Sequence, residues 1–129
     1  MPEVLRFPSF AGLPLDVLVT TRDGGVSEGP YESLNLGMHV GDDRERVVEN
    51  RRRAAALLGA ELDDLVVAGQ EHTSHVEVVG AEDRGRGARR LDDVVPATDA
   101  LVTSTVGPVL VTMVADCVPL VLYDPDAHV

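Results

Sequence analysis

Residues 108–125 read PVLVTMVADCVPLVLYDP, and the reading of this stretch decides the fold. An almost unbroken apolar run with β-branched residues reads as a strand buried on both faces. Pro119 denies it a helical reading. Asp116 and Cys117, the only cysteine, interrupt the run. An acid and a thiol there are either covered core groups or the mark of a break that presents them to a site. Around this run the sequence predicts two strands, Asp99–Thr105 and Val109–Val114, joined as a hairpin at Gly107-Pro108. A third strand, Val118–Tyr123, is expected after the break, followed by a turn over residues 124–129.

Upstream, Leu15–Thr21 (LDVLVTT) reads as a strand, and Asp23-Gly24-Gly25 as a turn, because glycine tolerates positive φ. The stretch VSEGPYESLNLGMHVGDD that follows is loop-like, and long loops of this kind inside compact domains usually carry function. Arg22 stands at the strand end, either as a binding residue or as a solvated charge. Asp42 with Glu45 fits a capping box, opening a helix over about Asp43–Leu58 that Gly59 stops. One helical face carries Val47, Asn50, Arg51, Ala54 and Leu58. Asn50 and Arg51 either reach inward to hold a loop or a ligand, or belong to an exposed arginine cluster; the second is the expectation. Leu65–Gly69 and His75–Val79 read as short strands flanking a polar cluster, Gln70-Glu71-His72-Thr73-Ser74. His72 and His75 stand three apart, so they do not share a strand face unless the backbone turns between them. Glu82–Asp93 (EDRGRGARRLDD) reads as a flexible, charged surface loop and not as a phosphate loop.

The composition narrows the function classes. A chain of 129 residues is one domain by size, and its 3% aromatic content with no Trp requires a core of Val, Leu and Ala. The net charge of −11 comes from 22 acids against 11 bases, all of them Arg. That balance argues against nucleic-acid binding, which depends on neutralising phosphates. A single cysteine excludes an intrachain disulfide and fits a reducing, cytoplasmic setting. The N-terminus shows no signal-peptide pattern. The run at 109–123 is too short and broken for a membrane span of about 20 apolar residues.

A thiol and an imidazole permit two chemistries, a Cys–His nucleophile pair or a zinc site. Cys117 and His72 supply two of the three protein ligands that catalytic zinc usually takes. Spacing does not select a third from His39, His75 and His128. One cysteine with scattered histidines gives no multicopper spacing.

Taken together, TTRDGGVSEGPYESLNLGMHVGDD, VVENRRR, GQEHTSHV, TDALVTS and VTMVADCVPLVLYDP resemble, in this order, the YfiH or laccase-domain family. The resemblance runs from about Val17 onward, and Ala-Asp-Cys-Val-Pro is its most specific element. It implies an α+β fold, with mixed β-sheets and helices packed outside. It also implies zinc-dependent purine nucleoside phosphorylase activity with adenosine deaminase activity, acting on purine nucleosides and phosphate. Other names in the family are peptidoglycan editing factor and, in older usage, polyphenol oxidase. Competing readings are accordingly an amidase or hydrolase of peptidoglycan precursors, a copper oxidase, or a non-catalytic fragment.

By this resemblance His72 and Cys117 are zinc ligands, and Asp116 orients a ligand or the Cys117 loop. Arg22 and Asn35, and less directly Arg51, contact substrate or phosphate. The third ligand of the family lies in a His-Ala-Gly-Trp motif that this sequence lacks, and His128 precedes its place. Residues 1–129 therefore read as the N-terminal part of one YfiH-like domain. The isolated chain is expected to have an incomplete zinc site, little or no activity, and exposed strands prone to self-association.

Overall fold

Short strands paired two by two carry the fold of the computed structural model, which describes residues 2–129. The chain divides into two compact units, one ending at Ala60 and the other spanning Glu61–Val129. In the first, β1 (Val4–Arg6) pairs antiparallel with β2 (Leu18–Thr20), Val4 opposite Thr20. The expected strand at 15–21 is present but shorter, and its partner β1 was not legible in the sequence. The loop after β2 folds back on itself: Ser33 and Leu34 N–H both donate to the Arg22 carbonyl, at 2.9 and 2.7 Å. Gly25 is required here by close approach, since a Cβ would lie 2.1 Å from the Ser33 carbonyl oxygen.

Helix α1 spans Arg44–Ala56. Its cap is Asp43, whose carboxylate accepts the Arg46 N–H at 3.0 Å. The expected Asp42–Glu45 capping box is thus wrong by one residue. Asp42 instead accepts from Ser27 Oγ and Asn35 Nδ2 in the preceding loop, which takes its carboxylate off the helix end. Gly59 (φ 67°) ends the helix as predicted, and Ala60 N–H returns to the Ala55 carbonyl. The buried residues are Val47, Asn50, Arg51 and Ala55. The expectation of an exposed arginine cluster is corrected: Arg52 is exposed, but Arg51 is only 2% exposed.

In the second unit β3 (Leu65–Val67) pairs parallel with β6 (Val109–Val111). Likewise β4 (Val76–Val78) pairs parallel with β5 (Ala100–Val102). β3 is buried throughout, as its Leu-Val-Val sequence demands. Val66, Val79 and Val95 form the core with Leu101 and Leu110 packed on it, the aliphatic interior that the composition requires. Among the described residues one α-helix and three two-stranded sheets, one antiparallel and two parallel, make the class α+β, as expected.

Three expectations for this unit fail. The Gly107-Pro108 hairpin does not form, because β5 and β6 each take a parallel partner elsewhere in sequence, β4 and β3. Val118–Tyr123 is not a strand, and the long run is not buried on both faces: Val118, Leu120 and Leu122 are 82%, 83% and 87% exposed. No strand pairs with residues 118–123 among the described residues, and apolar side chains alone leave their backbone groups without a ladder. Finally, residues 82–93 are not a loose loop. Val67 N–H donates to the Arg86 carbonyl and Gly85 N–H to Leu65, both at 2.9 Å, so this segment borders β3. Gly87 and Ala88 are buried, and ion pairs Arg84–Asp64, Arg86–Asp83 and Arg89–Asp63 tie down its charges.

Candidate metal and substrate site

β3 ends at Val67, and Ala68 still donates to the Val111 carbonyl at 3.3 Å. Beyond it the main chain turns away, with Gly69 N–H donating to Val95 and Thr98 N–H to Gly69. The Gln70 side chain then carries the ladder on. Its Nε2 donates to the Met113 carbonyl at 2.8 Å, and its Oε1 accepts the Met113 N–H at 2.6 Å. A carboxamide has the donor and acceptor of a peptide group, so it substitutes for the missing strand residue. The Ala115–Cys117 bend follows after Val114.

The next residues, Glu71 to Thr73, wrap around one carboxylate. Asp99 Oδ1 accepts from Glu71 N–H (3.0 Å) and Thr73 N–H (2.9 Å), and Oδ2 accepts from His72 N–H (3.1 Å). Thr73 Oγ1 lies 3.2 Å from both Asp99 Oδ1 and the Ala97 carbonyl. Three N–H groups can converge because His72 takes φ 58°, which non-glycine residues rarely adopt. These donors, the Thr73 N–H foremost, hold the Asp99 carboxyl below its ordinary value. The backbone does turn between His72 and His75, the condition under which the two escape strand spacing. The His75 imidazole meets the Glu77 carboxylate at 2.6 Å.

The side chains of His72, Asp116 and Cys117 are all exposed. Neutral imidazole and thiolate are preferred zinc ligands, so the donors fit that metal in kind. In number they fall short, because no group of three or more His, Cys, Asp or Glu able to hold a metal occurs among the described residues.

Arg22, Asn35 and Arg51 lie in the first unit. Arg22 is exposed, and its Nε and Nη2 donate to the Glu32 carbonyl at 3.1 and 3.0 Å. Asn35 is half-buried: its Oδ1 accepts Gly37 N–H, and its Nδ2 donates to the Gly37 carbonyl and Asp42. Arg51 Nε donates to the Leu36 carbonyl at 2.8 Å. Burial lowers its guanidinium to about 10, still protonated at neutral pH. Asn50, fully buried, completes the set. It accepts Val26 N–H and donates to Ser27 Oγ and the Asn35 carbonyl, all within 2.8–2.9 Å.

Sequence reasoning passed over the part played by Asp99. Its signal was an acid placed directly before an apolar strand, with a run of polar residues upstream in need of an acceptor. Gln70 carried a similar signal, a carboxamide at the end of an apolar strand.

The comparisons with known proteins agree with the motif reading. A purine nucleoside phosphorylase named YlmD, from Geobacillus stearothermophilus, is 44% identical over 120 residues, covering 93% of this chain and 43% of that protein. A purine nucleoside phosphorylase of Corynebacterium glutamicum is 46% identical over 116 residues, covering 90% of this chain and 45% of its own length. Among solved structures, YlmD of G. stearothermophilus matches with a TM-score of 0.78 at 44% identity over 83% of this chain and 40% of that one. Bacillus licheniformis YfiH matches at 0.69 with 42% identity, over 70% and 34%. The chain thus spans less than half the length of these relatives. The sequence profile described as "Multi-copper polyphenol oxidoreductase laccase" matches residues 16–129, and the chain belongs to that family, the YfiH family of the motif resemblance.

Proposed function

We propose that this chain is the N-terminal part of a zinc-dependent purine nucleoside phosphorylase that also deaminates adenosine. The observation that carries the reading is the 44% identity, over 93% of the chain, to a protein named for the first activity. In the proposal His72 and Cys117 hold the zinc with a third ligand supplied from outside residues 1–129. Held there, the metal would supply polarisation of a water or of the purine at neutral pH.

The chain's own residues have simpler tasks. Arg22 offers a guanidinium whose Nη1 edge is not committed to Glu32, suited to neutralising phosphate as an oxygen of that phosphate attacks C1′ and the purine departs. Asn35 and Arg51 serve the substrate through the loop they hold. Asp116 orients the Cys117 bend.

The test uses the full-length protein with adenosine or inosine and inorganic phosphate, following ribose 1-phosphate, free base and ammonia. Phosphorolysis that requires phosphate, is lost with Cys117→Ala and with His72→Ala, and is absent from the 129-residue chain alone is the expected result. Arg22→Ala should raise the phosphate requirement and leave zinc bound. Turnover of muropeptide precursors with none of nucleosides would sink the reading.

A further inference from the structure

Two side chains with no assigned chemistry tie the His72 and Cys117 segments to one frame. Gln70, on the segment that carries His72, makes two hydrogen bonds with the main chain of Met113, on the segment that carries Cys117. Asp99, at the mouth of β5, gathers the N–H groups of Glu71, His72 and Thr73. Every one of these bonds ends on main chain, so together they fix the backbone of residues 71–73 and of Met113 without engaging the side chains of His72 or Cys117. We propose that Asp99 and Gln70 are positioning residues, holding the His72 and Cys117 segments in register so that imidazole and thiol serve one ligand. The inference rests on the zinc reading for the ligand's identity, but not for the register itself.

A general structural role would lower stability without moving these two segments selectively. Outer groups that orient metal ligands typically change affinity by about 10- to 100-fold when removed. The experiment therefore pairs two measurements on the full-length protein. One is zinc affinity by competition with a chelator. The other is amide hydrogen exchange of the metal-free protein at residues 71–73 and 113, with Val79 in the core as reference. Asp99→Ala should weaken zinc by about 10- to 100-fold and speed exchange at residues 71–73, leaving Val79 protected. Gln70→Ala should do the same to zinc and speed exchange at Met113.

Asp99→Asn and Gln70→Glu each keep part of the bonding and should fall between; they also serve if an alanine variant does not fold. Zinc affinity within about twofold of wild type for all four, while His72→Ala abolishes binding, overturns the proposal. If His72→Ala and Cys117→Ala both keep zinc, the zinc reading fails instead. The register is then judged by exchange alone, and unchanged exchange at 71–73 and 113 overturns it.

Discussion

Asn50 and Arg51 reach from α1 and bond the main chain of the loop around residues 26–36 with their own buried side chains. In the other unit, Asp99 and Gln70 hold main-chain groups of the loop that carries His72 and of Met113, which precedes the bend that carries Cys117; the side chains of His72 and Cys117 stay exposed. In the first region the polar side chains are themselves the scaffold. In the second the scaffold lies beneath and leaves its polar side chains available. A residue type alone does not separate the two cases, since arginine and histidine both serve as ligand-binding side chains. What separates them is whether the side chain's bonds are already made.

That contrast can be broken by substitution. Arg51→Ala should have the largest effect, about 2–4 kcal/mol by urea unfolding, because it removes a buried side chain, leaves a void and takes the Nε donor from the half-buried Leu36 carbonyl. Arg51→Lys should recover little, since an ammonium lacks the planar fork. Asn50→Ala should cost about 1–3 kcal/mol by the same measurement, stranding Val26 N–H and the Asn35 carbonyl. By contrast His72→Ala in the metal-free protein should fall within about 0.5 kcal/mol of wild type, as expected of an exposed side chain. A large loss there would mean that the imidazole is itself part of the scaffold.

Acid sharpens the comparison further. Burial alone would raise the Asp42 carboxyl, but hydrogen bonds from Ser27, Asn35 and the Asp43 N–H, with the charge of Arg46, bring it below 3.8. Asp64 is lowered by the Glu61 N–H and Arg84, and Asp83 by the Gly80 N–H and Arg86. Folded values below the unfolded ones mean stability that is present above the unfolded value of 3.8 and lost as pH falls through the folded values. Stability measured from about pH 5 downward should fall in wild type, with a shallower slope in Asp42→Asn and in Asp64→Asn. The smallest effect is expected at Arg90, whose pairs with Asp92 and Asp93 are exposed; Arg90→Ala should stay within about 0.5 kcal/mol.

Much of this was legible in the chain. The helix and its Gly59 stop follow from local preferences, and the positions of β3 and β4 from apolar runs bounded by polar residues. The motifs around His72 and Cys117 lead to the family that the comparisons show. Pairing was not legible. The hairpin at Gly107-Pro108 satisfied every local rule, yet β5 and β6 found parallel partners more than twenty residues away in sequence. The Glu82–Asp93 segment looked too charged and glycine-rich to pack. Its charges are met by ion pairs, and Gly87 fits where a Cβ would lie 2.8 Å from Val67.

By itself, then, the sequence determined α1, the positions of β3 and β4, the aliphatic core and the identity of the candidate ligands, because these depend on residue chemistry and short-range periodicity. Only the tertiary structure decided that Arg51 is interior, that Asp99 and Gln70 frame the His72 and Cys117 segments, and that residues 118–123 are not a strand. Each of those depends on which backbone groups meet across the fold, and a hydrogen-bond partner distant in sequence leaves no local trace.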